Sequence, residues 1–224
     1  MLQLLVFACK VLKPPNLDYS KNFMVCKMLE GLRWARSSKD MRLPITSELL
    51  NKIIDKLPSG CFSLPQLFHG FLRVGEIVYT ELGQLQQIVS LNDAQILCEG
   101  KDKFIRLRLQ HSKCDQAGKG TFIDIAKTET PVCPVKLLKD YLAIRSKLNG
   151  LLFCHFNGKH VSRYQFSSIL SKSLKVLGID SSGFKSHSFR IGAATEAAAK
   201  GISNEEIMKL GRWKSEAYKS YIRF

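Results

Sequence analysis

Apolar residues in the amino-terminal part of the chain recur three and four positions apart, the spacing of a helix with one buried face. Residues 23–36 follow this pattern and predict an amphipathic helix. A second helix is predicted at about 47–57, where Thr46 can cap the first turn. The stretch between the two helices, residues 37–44, has the character of a linker.

The next apolar segment predicts a helix at about 66–80. Arg73 and Glu76 would lie on one side of it, because residues three apart share a helical face. The approach to this helix, residues 58–65, contains two prolines and a glycine, which disfavour a continuous helix there.

The middle of the chain alternates apolar and polar residues, as half-buried strands do. Strands are predicted near residues 94–98, 103–110 and 121–125. Gly118-Lys-Gly120 marks a turn before the third strand, which places Lys113 on an exposed loop. Helices are expected to follow at about 134–147 and 161–177.

Helix signals are clearest near the carboxyl terminus. Ser186 can cap a helix that begins at His187, and Ser203-Asn-Glu-Glu206 has the form of a capping box. The second signal predicts a short helix at about 203–210, and Ser215 can cap one last helical turn. The order of elements therefore predicts an α+β fold that is mostly helical.

Charge is distributed unevenly along the chain, which carries a formal net charge of +15. Residues 101–224 hold 23 Lys and Arg against 10 Asp and Glu, a net charge of +13, whereas residues 1–100 carry +2. A basic half suits a polyanion such as DNA, whose backbone would dominate the affinity. The composition fits a merely solvated basic surface equally well.

The cysteines and the amino-terminal residues indicate the compartment. The seven cysteines form no CxxC pair and have no histidine at ligand spacing, so we expect no zinc site and a reducing, intracellular environment. The apolar run in residues 1–12 is too short to span a bilayer, and we expect no association with a membrane.

Residues that could cleave a phosphodiester lie in the last part of the chain. His187 and Arg190 are three apart and would share one helical face. Arginine offers a planar fork of donors to two phosphate oxygens, and histidine adds a donor that titrates near neutral pH. Tyr218 and Tyr221 are also three apart, and by spacing alone either could supply a nucleophile.

Five motifs carry a more specific pattern. They are Gly70-Phe-Leu-Arg-Val-Gly-Glu-Ile77, Ser112-Lys-Cys-Asp-Gln-Ala-Gly-Lys-Gly120, His187-Ser-Phe-Arg-Ile-Gly-Ala-Ala-Thr195, Ile207-Met-Lys-Leu-Gly-Arg-Trp213 and Tyr221-Ile-Arg223. In these motifs the chain resembles the tyrosine recombinase (phage integrase) family, and within it the recombinases of eukaryotic mobile elements of the DIRS and Crypton kind. The resemblance covers roughly residues 41–224. It implies the integrase catalytic-domain fold, with a small antiparallel β-sheet.

The resemblance implies a role for each matching residue. Arg73 and Arg190 would clamp the scissile phosphate beside His187, with Glu76 as a supporting acidic residue. Preorganised cations of this kind stabilise the charge that develops on the nonbridging oxygens without a metal or another cofactor.

The resemblance also implies how the chemistry is divided among the remaining positions. Lys113 would protonate the leaving 5′ oxygen, Trp213 would fill the place of the family's His or Trp, and Tyr221 would attack phosphorus. Structural explanations remain open for several of these residues. Arg73 could pair only with Glu76, Lys113 could be a solvated loop residue, and Trp213 could be core packing.

Domain organisation and partners follow from the same resemblance. Residues 1–40 would be a remnant of a helical core-binding (SAM-like) domain with its linker, and residues 41–224 the catalytic domain. The partner would be double-stranded DNA, bound by a homotetramer in the nucleus. Relatives commonly continue past the nucleophile with a docking helix, so a chain ending at Phe224 is expected to assemble less well.

Three functions are compatible with these expectations. The first is an active recombinase that cuts and rejoins DNA during site-specific recombination or integration. The second is a catalytically inactive DNA-binding protein derived from such an enzyme. The third is a type IB topoisomerase, which shares the chemistry but relaxes supercoils.

Overall fold

The computed structural model describes residues 23–28, 40–56, 63–79, 87–110 and 120–223. The chain divides into two compact units, Met1–Met41 and Arg42–Phe224. In the first unit, residues 23–28 are helical, and the rest of the amphipathic pattern predicted over residues 23–36 lies outside the described residues. The assignment of residues 1–40 to a remnant of a core-binding domain stays a prediction.

The second unit combines helices with one small sheet. Its helices and strands, in chain order, are α1 (Ser47–Lys56), α2 (Ser63–His69), β1 (Ala94–Glu99), β2 (Asp102–Leu109), β3 (Thr121–Ala126), α3 (Pro134–Ile144), α4 (Arg163–Val176), α5 (Ser188–Ala199) and α6 (Asn204–Gly211). Short 3₁₀ helices lie at Val74–Glu76, Leu91–Asp93 and Glu216–Tyr221. The predicted α+β class, mostly helical with a small sheet, is confirmed.

The sheet has the order β1-β2-β3, and both pairs of neighbours are antiparallel. Ile105 lies opposite Ile96 on one side and Ile125 on the other, so apolar residues meet across the sheet. On the other face, the Arg106 guanidinium binds both carboxylate oxygens of Asp124 at 2.8 and 2.7 Å. Alternation and the turn signal at Gly118-Lys-Gly120 predicted these three strands, and the prediction is confirmed.

Local capping signals predicted several helix starts correctly. The Thr46 hydroxyl accepts a hydrogen bond from the Leu49 amide at 3.2 Å, and Ser203 accepts one from the Glu206 amide at 3.2 Å. Ser215 accepts a bond from the Ala217 amide at 3.4 Å at the start of the last turn. The helices predicted at about 47–57 and 203–210 are therefore confirmed.

The helices predicted at about 134–147 and 161–177 are also present, as α3 and α4. Helix α3 ends three residues early, because Arg145 leaves the helical conformation and turns inward. Its buried guanidinium donates to the carbonyls of Leu151 at 2.7 Å and Leu152 at 2.9 Å. The arginine thereby joins the end of α3 to the apolar run that follows it.

The helix predicted at about 66–80 is wrong, because α2 ends at His69. The Leu72 amide donates to the Leu67 carbonyl and the Phe71 amide to the Phe68 carbonyl, the pattern that closes a helix around a left-handed residue. That residue is Phe71, with φ of 47°. The chain is then extended at Arg73, so Arg73 and Glu76 do not share a continuous helix.

Helix α5 lies among α1, α2, α6 and the last 3₁₀ helix and contacts all of them. Gly192 permits a close approach of α5 to the segment before α1, since a Cβ there would lie 1.7 Å from the Ile45 carbonyl oxygen. The helix begins at Ser188 after His187, and the expected Ser186 cap is wrong. The Ser186 hydroxyl accepts a hydrogen bond from Arg163 at 3.2 Å instead of capping the helix.

None of the described helices combines the length and the apolar character that a bilayer crossing requires. The described residues also bring together no group of three or more His, Cys, Asp or Glu side chains that could hold a metal ion.

Candidate active site

Arg190 is the centre of the candidate site. It lies in the first turn of α5, and only 2% of its surface is exposed. Its two terminal nitrogens donate to the carbonyls of Phe71 and, at 2.7 Å, of Gly211. The side chain therefore links the carboxyl ends of α2 and α6 to the start of α5. Its Nε is buried and has no hydrogen-bond partner among the described residues.

Arg73 and Glu76 form a tight turn beside Arg190. Glu76, which is 5% exposed, accepts a hydrogen bond from the Arg73 guanidinium at 3.0 Å and another from the Arg73 amide at 2.7 Å. The expected pairing of the two side chains is present, although a 3₁₀ turn holds them instead of a helix. The Arg73 side chain keeps 26% of its surface exposed, so it can reach a bound molecule.

Arg212 is a third arginine in this cluster, and the sequence analysis gave it no role. Its guanidinium donates to Glu76 at 3.0 Å and to the Phe71 carbonyl at 3.1 Å, with a tenth of the side chain exposed. The backbone of Arg212 is also in the left-handed conformation, with φ of 56°. Arg212 ends α6 in the same way that Phe71 ends α2. Arg212 lies within the Gly211-Arg-Trp213 motif, in which only the tryptophan was assigned a role from sequence.

The cluster holds more positive than negative charge. Among the described residues, three guanidinium groups surround one carboxylate, that of Glu76. Burial, together with the charges of Arg73 and Arg212, lowers the pKa of Arg190 to about 10, against the opposite effect of Glu76. The positive charge of the guanidinium groups exceeds the negative charge of Glu76, and water has limited access to the site. Both conditions favour the binding of an anion. A phosphate diester has that charge and the matching acceptor geometry.

Aromatic rings cover one side of Arg190. The Trp213 ring centre lies 4.5 Å from the guanidinium carbon, and the Tyr221 ring centre lies 5.7 Å from it. Trp213 also contacts the Tyr221 ring at 5.0 Å and the edge of Phe71 at 6.2 Å. Trp213 therefore contributes to the packing of the site, as expected if its role is structural. It also lies against Arg190 and Tyr221, two of the candidate catalytic residues.

The two candidate tyrosines have different environments. Tyr221 is partly buried, and its ring centre lies 6.4 Å from that of His187. Thr195 of α5 holds its backbone, donating to the Tyr221 carbonyl at 3.3 Å and accepting from the Arg223 amide at 3.0 Å. Tyr218 is 3% exposed and belongs to the hydrophobic core.

The structure thus brings together all but one of the residues that the sequence analysis selected. Those it brings together are Arg73, Glu76, His187, Arg190, Trp213 and Tyr221. Lys113 and its loop lie outside the described residues. The arrangement can bind an anion with fixed guanidinium groups and present a phenol to it.

A cluster of arginines beside a tyrosine, on this mixed fold, has the charge and the donors to bind a phosphodiester. The model of the phage integrase family matches residues 67–222, which is more than half of the chain. The chain belongs to the phage integrase (tyrosine recombinase) family.

Individual relatives agree with this assignment. The chain is 32% identical over 115 residues to an integrase/recombinase XerD homolog of Selenomonas ruminantium, over 48% of this chain and 34% of that protein. Its fold resembles that of the XerH site-specific recombinase bound to difH substrate in a pre-cleavage complex, with a TM-score of 0.61 and 16% identity. The match covers 100% of this chain and 66% of the XerH chain.

A second solved structure is also similar. This chain matches only part of the length of each of these relatives. The fold resembles the XerA recombinase with a TM-score of 0.59 and 17% identity, over 82% of this chain and 61% of that one. The chain spans about a third of the length of the XerD homolog and less than two-thirds of XerA. Its helices and three-stranded antiparallel sheet match the fold of recombinase catalytic domains.

Proposed function

We propose that this chain is the catalytic part of a DNA recombinase that breaks and rejoins strands through a covalent 3′-phosphotyrosyl intermediate on Tyr221. The observation that carries the proposal is the cluster of Arg73, Arg190 and Arg212 around the carboxylate of Glu76, with Tyr221 packed against the buried Arg190. This cluster has the charge to bind a phosphate and the neighbouring phenol to attack it.

In the proposed site, Arg73 and Arg190 hold the nonbridging oxygens of the scissile phosphate, and His187 adds a third donor. Attack at phosphorus increases the negative charge on those oxygens, and fixed cations stabilise it without a reorganisation of solvent. Arg212 acts differently, because its donors hold Glu76 and the Phe71 carbonyl. It is a positioning residue that keeps Arg73 and the end of α2 in place.

The proposed reaction exchanges one phosphodiester for another. The Tyr221 oxygen forms a bond to phosphorus, the bond from phosphorus to the 5′ oxygen breaks, and the phenol proton passes to water or to His187. Lys113 gives a proton to the departing 5′ oxygen. In the second step a 5′ hydroxyl attacks the phosphotyrosine and the tyrosine recovers its proton, so the bond energy is conserved and no ATP is needed.

The proposal includes finer points about the partner and the origin of the chain. Double-stranded DNA is the proposed substrate, bound by a homotetramer in the nucleus, and the net charge of +13 over residues 101–224 supports a polyanionic partner. The motifs around His187, Trp213 and Tyr221 support an origin in a mobile element of the DIRS or Crypton kind. The proposed chemistry requires no metal or cofactor.

A nicked DNA substrate tests the proposal, because loss of the short strand after cleavage traps the covalent adduct. The wild-type chain is expected to give a protein–DNA band that survives denaturing electrophoresis. Tyr221→Phe should abolish it, whereas Tyr218→Phe should retain it, since Tyr218 is buried in the core. An adduct that persists in Tyr221→Phe would move the nucleophile elsewhere. DNA binding without an adduct on any sequence would instead support the inactive, DNA-binding descendant.

A further inference from the structure

A groove beside the candidate site has no role in the proposed reaction. It has a volume of about 450 Å³, and it lies between the Arg42 segment, α4 and the turn that precedes α5. That volume is within the range of ligand clefts, about 300–1,000 Å³. His187 lines the groove and also lies 6.4 Å from the Tyr221 ring, so the groove adjoins the candidate site.

The lining of the groove has the chemistry of a phosphate-binding surface. Arg42, Arg163 and Lys185 supply permanent positive charge, and five serines supply hydroxyl groups. Among the described residues that line it, none is acidic. Arginine, lysine and serine side chains are common donors to backbone phosphates in complexes of proteins with DNA.

Backbone contacts hold these side chains around the groove. The Leu43 amide donates to the Gly183 carbonyl at 2.9 Å, and the Ile45 amide donates to the Ser188 carbonyl at 3.0 Å. The segment that carries Arg42 therefore runs along the turn that carries Lys185. A Cβ on Gly183 would lie 2.9 Å from the end of the Leu43 side chain, so a larger residue there would displace that side chain.

Two side-chain contacts fix the opposite wall. The Arg163 guanidinium donates to the Ser186 hydroxyl at 3.2 Å, which joins the start of α4 to the residue before His187. The Lys185 amide donates to the Ser188 hydroxyl at 3.0 Å, which orders the turn just before α5. The same turn therefore positions both a groove lysine and the candidate catalytic histidine.

We infer that this groove binds a backbone phosphate of the DNA duplex on one side of the scissile phosphate, and so aligns the strand on His187 and Arg190. The inference rests on the proposed function for the identity of the neighbouring site. Phosphate contacts of this type fix the register of a duplex on a protein without reading its sequence. Arg163 and Lys185 are the residues assigned to this contact.

The experiment measures binding separately from cleavage. Every variant is made in the Tyr221→Phe chain, and its affinity for a labelled duplex of arbitrary sequence is measured at several salt concentrations. Arg163→Gln and Lys185→Gln should each reduce the salt dependence by about one unit in the slope of log K against log salt, and the double variant by about two. Arg163→Lys, which keeps the charge, should retain most of the slope.

Lys52→Gln is the matched control, because Lys52 is an exposed lysine on α1 that pairs with Glu48. It removes the same charge from the surface and should leave the slope within about 0.3 unit of the parent value. Equal slopes for the control and for the groove variants would overturn the inference. Thermal unfolding of each variant verifies that the fold is intact.

A wrong assignment of the groove and a wrong proposed function would give different experimental results. If Arg163→Gln leaves the slope unchanged while the chain with Tyr221 still forms an adduct, the groove assignment alone is wrong. If the slope falls as expected but no DNA yields an adduct, the groove binds phosphate and the proposed chemistry is wrong.

Discussion

Two residues in the described part of the chain, Phe71 and Arg212, are non-glycine residues with a positive φ. Such a conformation is disfavoured for bulky side chains and persists where the surrounding structure requires it. Both residues end a helix, and the Arg212 guanidinium binds the Phe71 carbonyl. The same carbonyl accepts a hydrogen bond from Arg190. The two strained positions therefore hold the candidate site together.

Arg212→Asn tests the positioning role of this residue. Asparagine tolerates a left-handed conformation, so the substitution removes the guanidinium with little added backbone strain. A hydrogen bond to a charged group contributes about 1.5–3 kcal/mol, so adduct formation at saturating DNA should fall by about tenfold to a hundredfold. The dissociation constant for DNA should stay within about threefold, because Arg212 is not assigned to a phosphate contact. An equal loss of affinity and rate would give Arg212 a direct contact instead.

Arg73→Gln tests the proposed phosphate clamp. Arg73 is partly exposed, so its removal should spare the fold, whereas loss of one preorganised donor should slow adduct formation by about 100-fold to 1,000-fold. Arg106→Gln is the matched control, because Arg106 also pairs with a carboxylate but lies on the sheet. Single-turnover rates on a nicked substrate provide the comparison. Similar rates for the two variants would remove Arg73 from the chemistry.

At the scale of elements, the end of α2 decides where Arg73 and Glu76 lie. A Cβ on Gly70 would approach the Gln66 carbonyl oxygen to 2.7 Å and the Ile125 side chain to 2.8 Å. Gly70→Ala should therefore destabilise the fold by about 1–3 kcal/mol, measured by urea unfolding. Gly75→Ala is the control, since nothing lies within 4 Å of its added Cβ. Equal stability of the two variants would contradict the packing described for this turn.

Helix α2 also carries a pH-sensitive group at its end. Burial lowers the pKa of His69 to about 4, with Glu196 opposing the shift and Lys200 adding to it. The unfolded chain binds more protons than the folded chain between about pH 4 and 6.5, so stability is complete above about pH 6.5 and is lost as the pH falls towards 4. The loss from this residue is expected to be about 2–3 kcal/mol.

His69→Gln should therefore flatten the fall in stability between about pH 6.5 and 4. His160→Gln, which alters an exposed histidine, is the control and should leave the wild-type pH profile in place. Urea unfolding at several pH values gives the comparison. A wild-type profile for His69→Gln would mean that another group causes the acid sensitivity.

Much of the fold was predictable from sequence because the signals are local. Thr46, Ser203 and Ser215 bond to amides within three residues of themselves, and the alternation in residues 103–110 needs no knowledge of distant partners. The early end of α2 was not predictable, because the left-handed Phe71 is held by distant residues, the arginines Arg190 and Arg212 that donate to its carbonyl.

The same distinction applies to the candidate site. The family resemblance selected Arg73, His187, Arg190 and Tyr221, whereas spacing alone did not separate Tyr221 from Tyr218. The two tyrosines differ in their packing, which spacing does not reveal, since Tyr218 lies in the core. Arg212 was missed for a related reason. Its guanidinium binds the Phe71 carbonyl and Glu76, which lie 141 and 136 positions earlier in the chain, and local spacing does not reveal such contacts.

At the scale of the whole molecule, the second unit presents two adjoining cationic surfaces. One is the buried arginine cluster, and the other is the groove lined by Arg42, Arg163 and Lys185. His187 lines the groove and lies beside the Tyr221 ring, which packs on Arg190. We propose that a duplex backbone lies along both surfaces, with one phosphate held for reaction and a neighbouring one held for alignment.

The most direct test of the account identifies the amino acid that becomes joined to DNA. An adduct trapped on a nicked duplex is digested with protease and nuclease, and mass spectrometry locates the residue that carries the nucleotide. We expect the nucleotide on the Tyr221 side chain, linked through its 3′ phosphate. A nucleotide on Tyr218, on any other residue, or linked through a 5′ phosphate would contradict the site and the chemistry proposed for it.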